Sequence, residues 1–247
     1  MSRDSKLPNK TGTAPSQPDR SNGQRSEVDA FLRQVAATPP PPKQGTGRGR
    51  LIFALDATAS RQPTWDRAMN TQAEMFEAAA GLGGLDIQLL FYRGFGECKA
   101  SKWHADAGGL LRAMTAVNCL AGRTQIARVL RHAAKESRKR KVNALVFVGD
   151  SVEENVDELG HLAGELGLLG VPCFLFHEGN DPAARQAFQQ IARLSGGACC
   201  RFDGTSVQEL RDLLAAVAVF AAGGKKALAD FSQQRGGAAL QLTHQLR

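Results

Sequence analysis

From residue 50 onward, short apolar runs alternate with longer stretches in which apolar residues recur every three or four positions. The runs Leu51–Asp56, Asp86–Tyr92, Ala144–Gly149, Val171–Phe176 and Ala198–Phe202 have the length and continuity of strands buried on both faces. A more polar run, Gly96–Ser101, reads as a further strand at a sheet edge. Between them the spacing predicts helices over Thr64–Ala80, Ala107–Val117, Ile126–Lys139, Val156–Leu169, Pro182–Leu194 and Val207–Ala221. Continuous apolar strands joined by helices of this length point to an α/β domain. Its expected form is a doubly wound, mostly parallel six-stranded sheet with helices on both faces.

The flanks read differently. Residues 1–25 are rich in Ser, Pro, Asn, Lys and Gly, cannot offset their ordering entropy, and read as a disordered tail. Residues 26–49 read as a short amphipathic helix over 26–37, with Val28, Phe31, Leu32 and Val35 apolar, followed by a Pro/Gly-rich linker. The domain is expected over 50–222, with a C-terminal extension over 223–247. On this division, removal of residues 1–47 should leave the melting temperature nearly unchanged. The glycines of "GTGRGR" precede a strand instead of following one, and no Gly-Lys-Ser/Thr is present, so they read as linker and not as a phosphate cradle.

Composition narrows the function. The net charge of +7 is concentrated at the N-terminus, where residues 1–50 hold nine Lys/Arg against four Asp/Glu and the remainder 22 against 20. The high pI therefore says little about a nucleic-acid partner. The opening "MSRDSKLPNK" has no apolar core of a secretory signal. The longest apolar run, Leu213 to Ala222, is about half of the roughly 20 residues that span a bilayer. Five cysteines (Cys98, Cys119, Cys173, Cys199, Cys200) form an odd set without paired C-x-x-C spacing, and read as reduced thiols of a cytoplasmic protein.

The candidate chemistry lies where strands end. "LIFALDATAS" closes its apolar run with Asp56, Thr58 and Ser60, three oxygen donors at alternate positions. "ALVFVGDS" ends in Asp150, and "CLAGRTQIARVL" places Thr124 just ahead of a helix start. In a doubly wound sheet, ligands sit at the carboxyl ends of the strands where strand order reverses. Hydroxyls and carboxylates suit a hard cation, Mg²⁺ ahead of Ca²⁺ for so few carboxylates, with Mn²⁺ also compatible. The competing reading is that Asp56 and Thr124 only satisfy loop and helix-end N–H groups.

The set Asp56-x-Thr58-x-Ser60, Thr124 and Asp150, in this order and each at the end of its element, resembles the von Willebrand factor A domain with its metal-ion-dependent adhesion site. The resemblance spans roughly residues 50–221. It implies direct binding of a metal by Thr58, Ser60 and Thr124, with Asp56 and Asp150 bound directly or through water. It also implies an open coordination position filled by a carboxylate of a protein partner, and a place within a larger assembly. The family's second glycine of the middle motif is here Arg123, a residue that can shield the site, and its Thr-Asp-Gly is here Gly149–Asp150–Ser151.

Other features are weighed against this. Seven basic residues between Arg128 and Lys141 are followed by eight acids between Asp150 and Asp181, a pattern that helix-end electrostatics accounts for. The alternative is that Glu153 and Glu154 tune the metal. His177 and Glu178 read as loop residues, and Trp65 and Trp103 as packing residues. A metal-dependent phosphoryl or ester hydrolase is the second functional class considered. Position 58 is Thr where a second Asp would serve as general acid, and no Gly-x-Ser-x-Gly or Ser-His-Asp set is present, so no catalytic residue is assigned. "RKRK" and "GRGR" lack interleaved aromatics, which weighs against a third class, nucleic-acid association through a basic tail.

Overall fold

β1 (Gly49–Asp56) is buried at every residue, and its alternating side chains feed two separate cores. Leu51, Phe53 and Leu55 point to one, Ile52 and Ala54 to the other. This is what an unbroken apolar run means in a sheet covered on both faces. The computed structural model describes residues 30, 31, 33, 34 and 37, residues 48–202 and residues 207–235. The remaining strands are β2 (Leu85–Arg93), β3 (Glu97–His104), β4 (Ala144–Gly149), β5 (Cys173–Glu178) and β6 (Ala198–Phe202). They form a six-stranded sheet of order β3-β2-β1-β4-β5-β6, parallel throughout except for the antiparallel edge strand β3. The expected α/β architecture is the observed one.

The helices are α1 (Gln62–Thr71), α2 (Ala73–Ala79), α3 (Ala107–Thr115), α4 (Ile126–Lys139), α5 (Val156–Leu168), α6 (Pro182–Ser195) and α7 (Val207–Arg235). Residues of α1, α2, α3 and α7 fill one core, and those of α4, α5 and α6 the other. Among the described residues no helix is long and apolar enough to cross a membrane.

The structure departs from the sequence reading in four places. The helix expected over Thr64–Ala80 starts two residues earlier and runs as two segments, Gln62–Thr71 and Ala73–Ala79, with Gln72 between them still α-helical in its backbone and its N–H bonded to the Ala68 carbonyl at 3.0 Å. The extension after residue 222 continues as α7 past a kink at Gly224 (φ 74°), and Leu228 is buried in the first core. Gly49 is not linker but the start of β1, and Arg48 donates to Asp86 Oδ1 at 2.7 Å. Arg50 is itself buried, with its guanidinium 3.8 Å from the Trp103 ring centroid.

The fourth departure is Phe31. Placed by sequence in a segment before the domain, it is 1% exposed and packs edge-on against Phe176 and Phe174, with ring centroids 5.3 and 6.2 Å away. The expected disordered tail, residues 1–25, lies outside the described residues.

The uneven charge is resolved by packing. Arg131 pairs with Glu158 and Arg138 with Glu165, so the basic face of α4 meets the acidic face of α5. The two basic runs weighed as nucleic-acid contacts are thus partly spent internally.

Candidate functional site

Strand order reverses between β1 and β4, which lie side by side with Leu55 opposite Val148. Asp56 ends β1, and Asp150 follows β4 at the same edge of the sheet. A cavity of about 260 Å³ opens there, lined by Asp56, Thr58, Ser60, Thr124 and Asp150, together with Ala59, Ala121, Gly122, Ser151 and Glu153. All five donors read from the sequence therefore meet in one cavity.

Each donor is held by local structure. Asp56 is 4% exposed, and its Oδ1 accepts from the Thr58 backbone N–H at 2.7 Å, the turn that carries Thr58 and Ser60 around the cavity. Burial raises the Asp56 carboxyl above its ordinary value, opposed by the hydrogen bonds from Thr58 and reinforced by the Asp150 charge. The buried Tyr92 hydroxyl, on the residue opposite Asp56 in β2, lies beside this carboxylate and has no hydrogen-bond partner of good geometry. Ser60 sits exposed in a single 3₁₀ turn, Ala59–Arg61.

The loop before α4 is fixed by acids from the loop after β4. Thr124 donates its backbone N–H to Glu153 Oε2 at 3.1 Å, while Thr124 Oγ1 accepts from the Glu153 N–H at 3.0 Å. Glu154 accepts from the backbone N–H groups of Ile126 and Ala127, at 2.7 and 2.8 Å. Glu154 therefore caps a neighbouring helix, α4, and not the helix that follows it. This is the favourable end of the α4 dipole for an anion. Of the two acids weighed as metal-tuning groups, Glu154 is occupied by this cap and Glu153 both clasps Thr124 and lines the cavity.

Arg123 is not among the residues that line the cavity. It is exposed, and its backbone N–H donates to the Gly94 carbonyl at 3.0 Å. The cation paired with a cavity residue is Arg61, directly after Ser60, which the sequence reading missed. Arg61 is 6% exposed and donates through Nη1 to Asp150 Oδ2 at 3.1 Å. Its Nη2 donates to Thr64 Oγ1 at 2.8 Å and to Glu178 Oε2. Glu178 and His177 are not loop residues: both belong to β5, Glu178 also pairs with Arg67, and His177 is 1% exposed with neither ring nitrogen in a hydrogen bond of good geometry. The only advance signal for Arg61 was its place beside the motif, since its partners lie 89 and 117 residues away.

No family profile matches the chain, and no curated protein matches it in sequence. Solved structures do match. The chain resembles the SpRpn10 VWA domain at 16% identity, covering 68% of this chain and 94% of that one, with a TM-score of 0.53. It also resembles proximal thread matrix protein 1 from the mussel byssus at 14% identity, over 70% of this chain and 46% of that one, with a TM-score of 0.57. The PilB minor pilin from Streptococcus sanguinis matches at 10% identity over 80% and 65%, with a TM-score of 0.52. The fold is that of a von Willebrand factor A domain. One structure of the mussel protein has a zinc-occupied MIDAS motif, at 13% identity over 70% and 46% with a TM-score of 0.52.

The donor set of this von Willebrand factor A fold is compatible with a metal ion. Among the described residues no group of three or more His, Cys, Asp or Glu side chains is placed to hold one. The set here instead combines two carboxylates with three hydroxyls. Thr124 Oγ1 and Asp56 Oδ1 each retain acceptor capacity beyond the one N–H they bind. Two carboxylates close enough for one to raise the other's pKa favour an added cation. Oxygen donors of this kind suit Mg²⁺ and similar hard cations.

Proposed function

We propose that this chain is a protein-binding module in which Asp56, Thr58, Ser60, Thr124 and Asp150 hold a divalent cation, Mg²⁺ first, that engages a carboxylate on a protein partner. The observation that carries the reading is the convergence of all five donors on one cavity at the β1/β4 reversal. Bound there, the cation would supply Lewis acidity and net positive charge toward an acidic side chain. The protein's part is to present neutral hydroxyls, to orient Asp56 through the Thr58 N–H, and to fix the Thr124 loop through Glu153.

The reading is of a binding module and not of a hydrolase. Position 58 offers a hydroxyl where a second carboxyl would be needed, and His177, the imidazole at this sheet edge, is buried and not among the residues lining the cavity. With its odd set of free cysteines the module is proposed to act in the cytoplasm, within a larger assembly. The test is recovery of a purified partner from paired captures in Mg²⁺ and in EDTA, with Ser60→Ala as the control. Recovery that depends on Mg²⁺ and falls in Ser60→Ala supports the reading. Recovery indifferent to EDTA overturns it.

A further inference from the structure

Arg61 spans two carboxylates with different nitrogens. Nη1 holds Asp150 Oδ2, on a residue that lines the cavity, at 3.1 Å, while Nη2 holds Glu178 and Thr64 Oγ1, on residues that do not. Asp150 is the more exposed of the two acids, with its side chain 30% accessible against 15% for Glu178. Glu178 sits in a closed cluster, since Thr64 Oγ1 donates to it and Arg67 Nη2 reaches both Thr64, at 3.1 Å, and Glu178 Oε1, at 3.4 Å. Among the described residues, Arg61 is the member of this cluster that bonds a cavity donor.

We propose that Arg61 is a built-in cation that competes with the divalent ion for Asp150, and that Glu178 is the counter-ion that retains Arg61 when Asp150 turns to the site. A charge as buried as that of Arg61 must stay paired, so Arg61 cannot simply withdraw. The forked guanidinium removes the difficulty, because it can give up the Nη1 contact and keep both Nη2 contacts. Arg61 thus sets the affinity of the site, and Glu178 sets how readily Asp150 is released. This makes ion binding weak and reversible, and makes Glu178, outside the cavity, part of its control. The inference rests on the cation-site reading above.

The experiment is calorimetric titration of Mn²⁺ into the full chain, wild type, Arg61→Met, Glu178→Gln, the double variant and Asp56→Ala, with melting curves to verify folding. Arg61→Met should bind about tenfold more tightly, the equivalent of one charge-assisted hydrogen bond no longer competed away. Glu178→Gln should bind about tenfold more weakly, because Asp150 is then the sole carboxylate of Arg61. In the double variant the Glu178 effect should vanish. Opposite signs that collapse in the double variant are not what a merely structural cluster would give. Should Arg61→Met fail to fold, Glu178→Gln against Arg61→Gln carries the same comparison. Equal Mn²⁺ affinity in wild type and Arg61→Met, with binding still lost in Asp56→Ala, overturns this inference alone. No Mn²⁺ uptake by any variant overturns the site reading and this inference together.

Discussion

Thr124 and Glu153 are bonded to each other twice, N–H to carboxylate at 3.1 Å and hydroxyl to N–H at 3.0 Å. This closed pair ties the loop before α4 to the loop after β4, the two walls that bring Thr124 and Asp150 to one cavity. It also gives Thr124 a structural duty beside any ligand role. Thr124→Ala leaves the Glu153 N–H without its acceptor and should cost about 1 kcal/mol, roughly 2–4 °C in melting temperature for a chain of this size. Differential scanning calorimetry in EDTA checks it. An unchanged melting temperature would mean that the hydroxyl does nothing for the fold.

The neighbouring acid does more for stability. Glu154 binds two N–H groups at the start of α4, and Glu154→Ala should cost about 1–3 kcal/mol. Hydrogen exchange at the Ile126 and Ala127 amides should accelerate more than at the centre of α4. Uniform acceleration along the helix would indicate a global loss instead of an uncapped end.

Phe31 closes the first core from outside the chain segment that builds the sheet. Phe31→Ala should cost about 3–5 kcal/mol, as for other large-to-small changes at fully buried aromatic sites. Deletion of residues 1–47 should lower the melting temperature comparably, against the sequence expectation of no change. Urea unfolding of both forms provides the measurement.

What the sequence disclosed, and what it withheld, divides along range. The bounds of α4, β4 and β6 are those read from periodicity, because continuous apolar runs and an amphipathic stripe are local properties. The five cavity donors were legible for the same reason: each lies within four residues of a strand end or a helix start. Arg61, Glu154 and Phe31 were not. Their roles come from partners 28 to 145 positions away, in Ile126, Asp150, Glu178 and Phe176, and no local pattern encodes such a pairing.

His177 predicts a pH dependence. Burial pushes its imidazole below the ordinary 6.5, opposed by the Asp150 backbone and the Asp181 charge, and neither ring nitrogen has a hydrogen-bond partner of good geometry. Below pH 6.5 the unfolded chain takes up a proton that the native state resists. The neutral histidine's contribution to stability is therefore full above pH 6.5 and is lost as the pH falls below it toward the depressed native value, by at most about 1.4 kcal/mol per pH unit. His177→Phe should flatten that slope between pH 6.5 and 5. A slope unchanged from wild type would place the dependence on other groups.

On the proposed reading, the cavity between β1 and β4 binds a divalent cation through Asp56, Thr58, Ser60, Thr124 and Asp150. Calorimetric titration of Mg²⁺ and Mn²⁺ into wild type, Asp56→Ala and Ser60→Ala tests it most directly. Ser60 is exposed, so its loss leaves the core intact. Wild type should show one saturable site, abolished by Asp56→Ala and weakened by Ser60→Ala at an unchanged melting temperature. Equal heats in all three proteins would contradict it, and would leave Asp56 and Thr124 as groups that only satisfy the backbone of their loops.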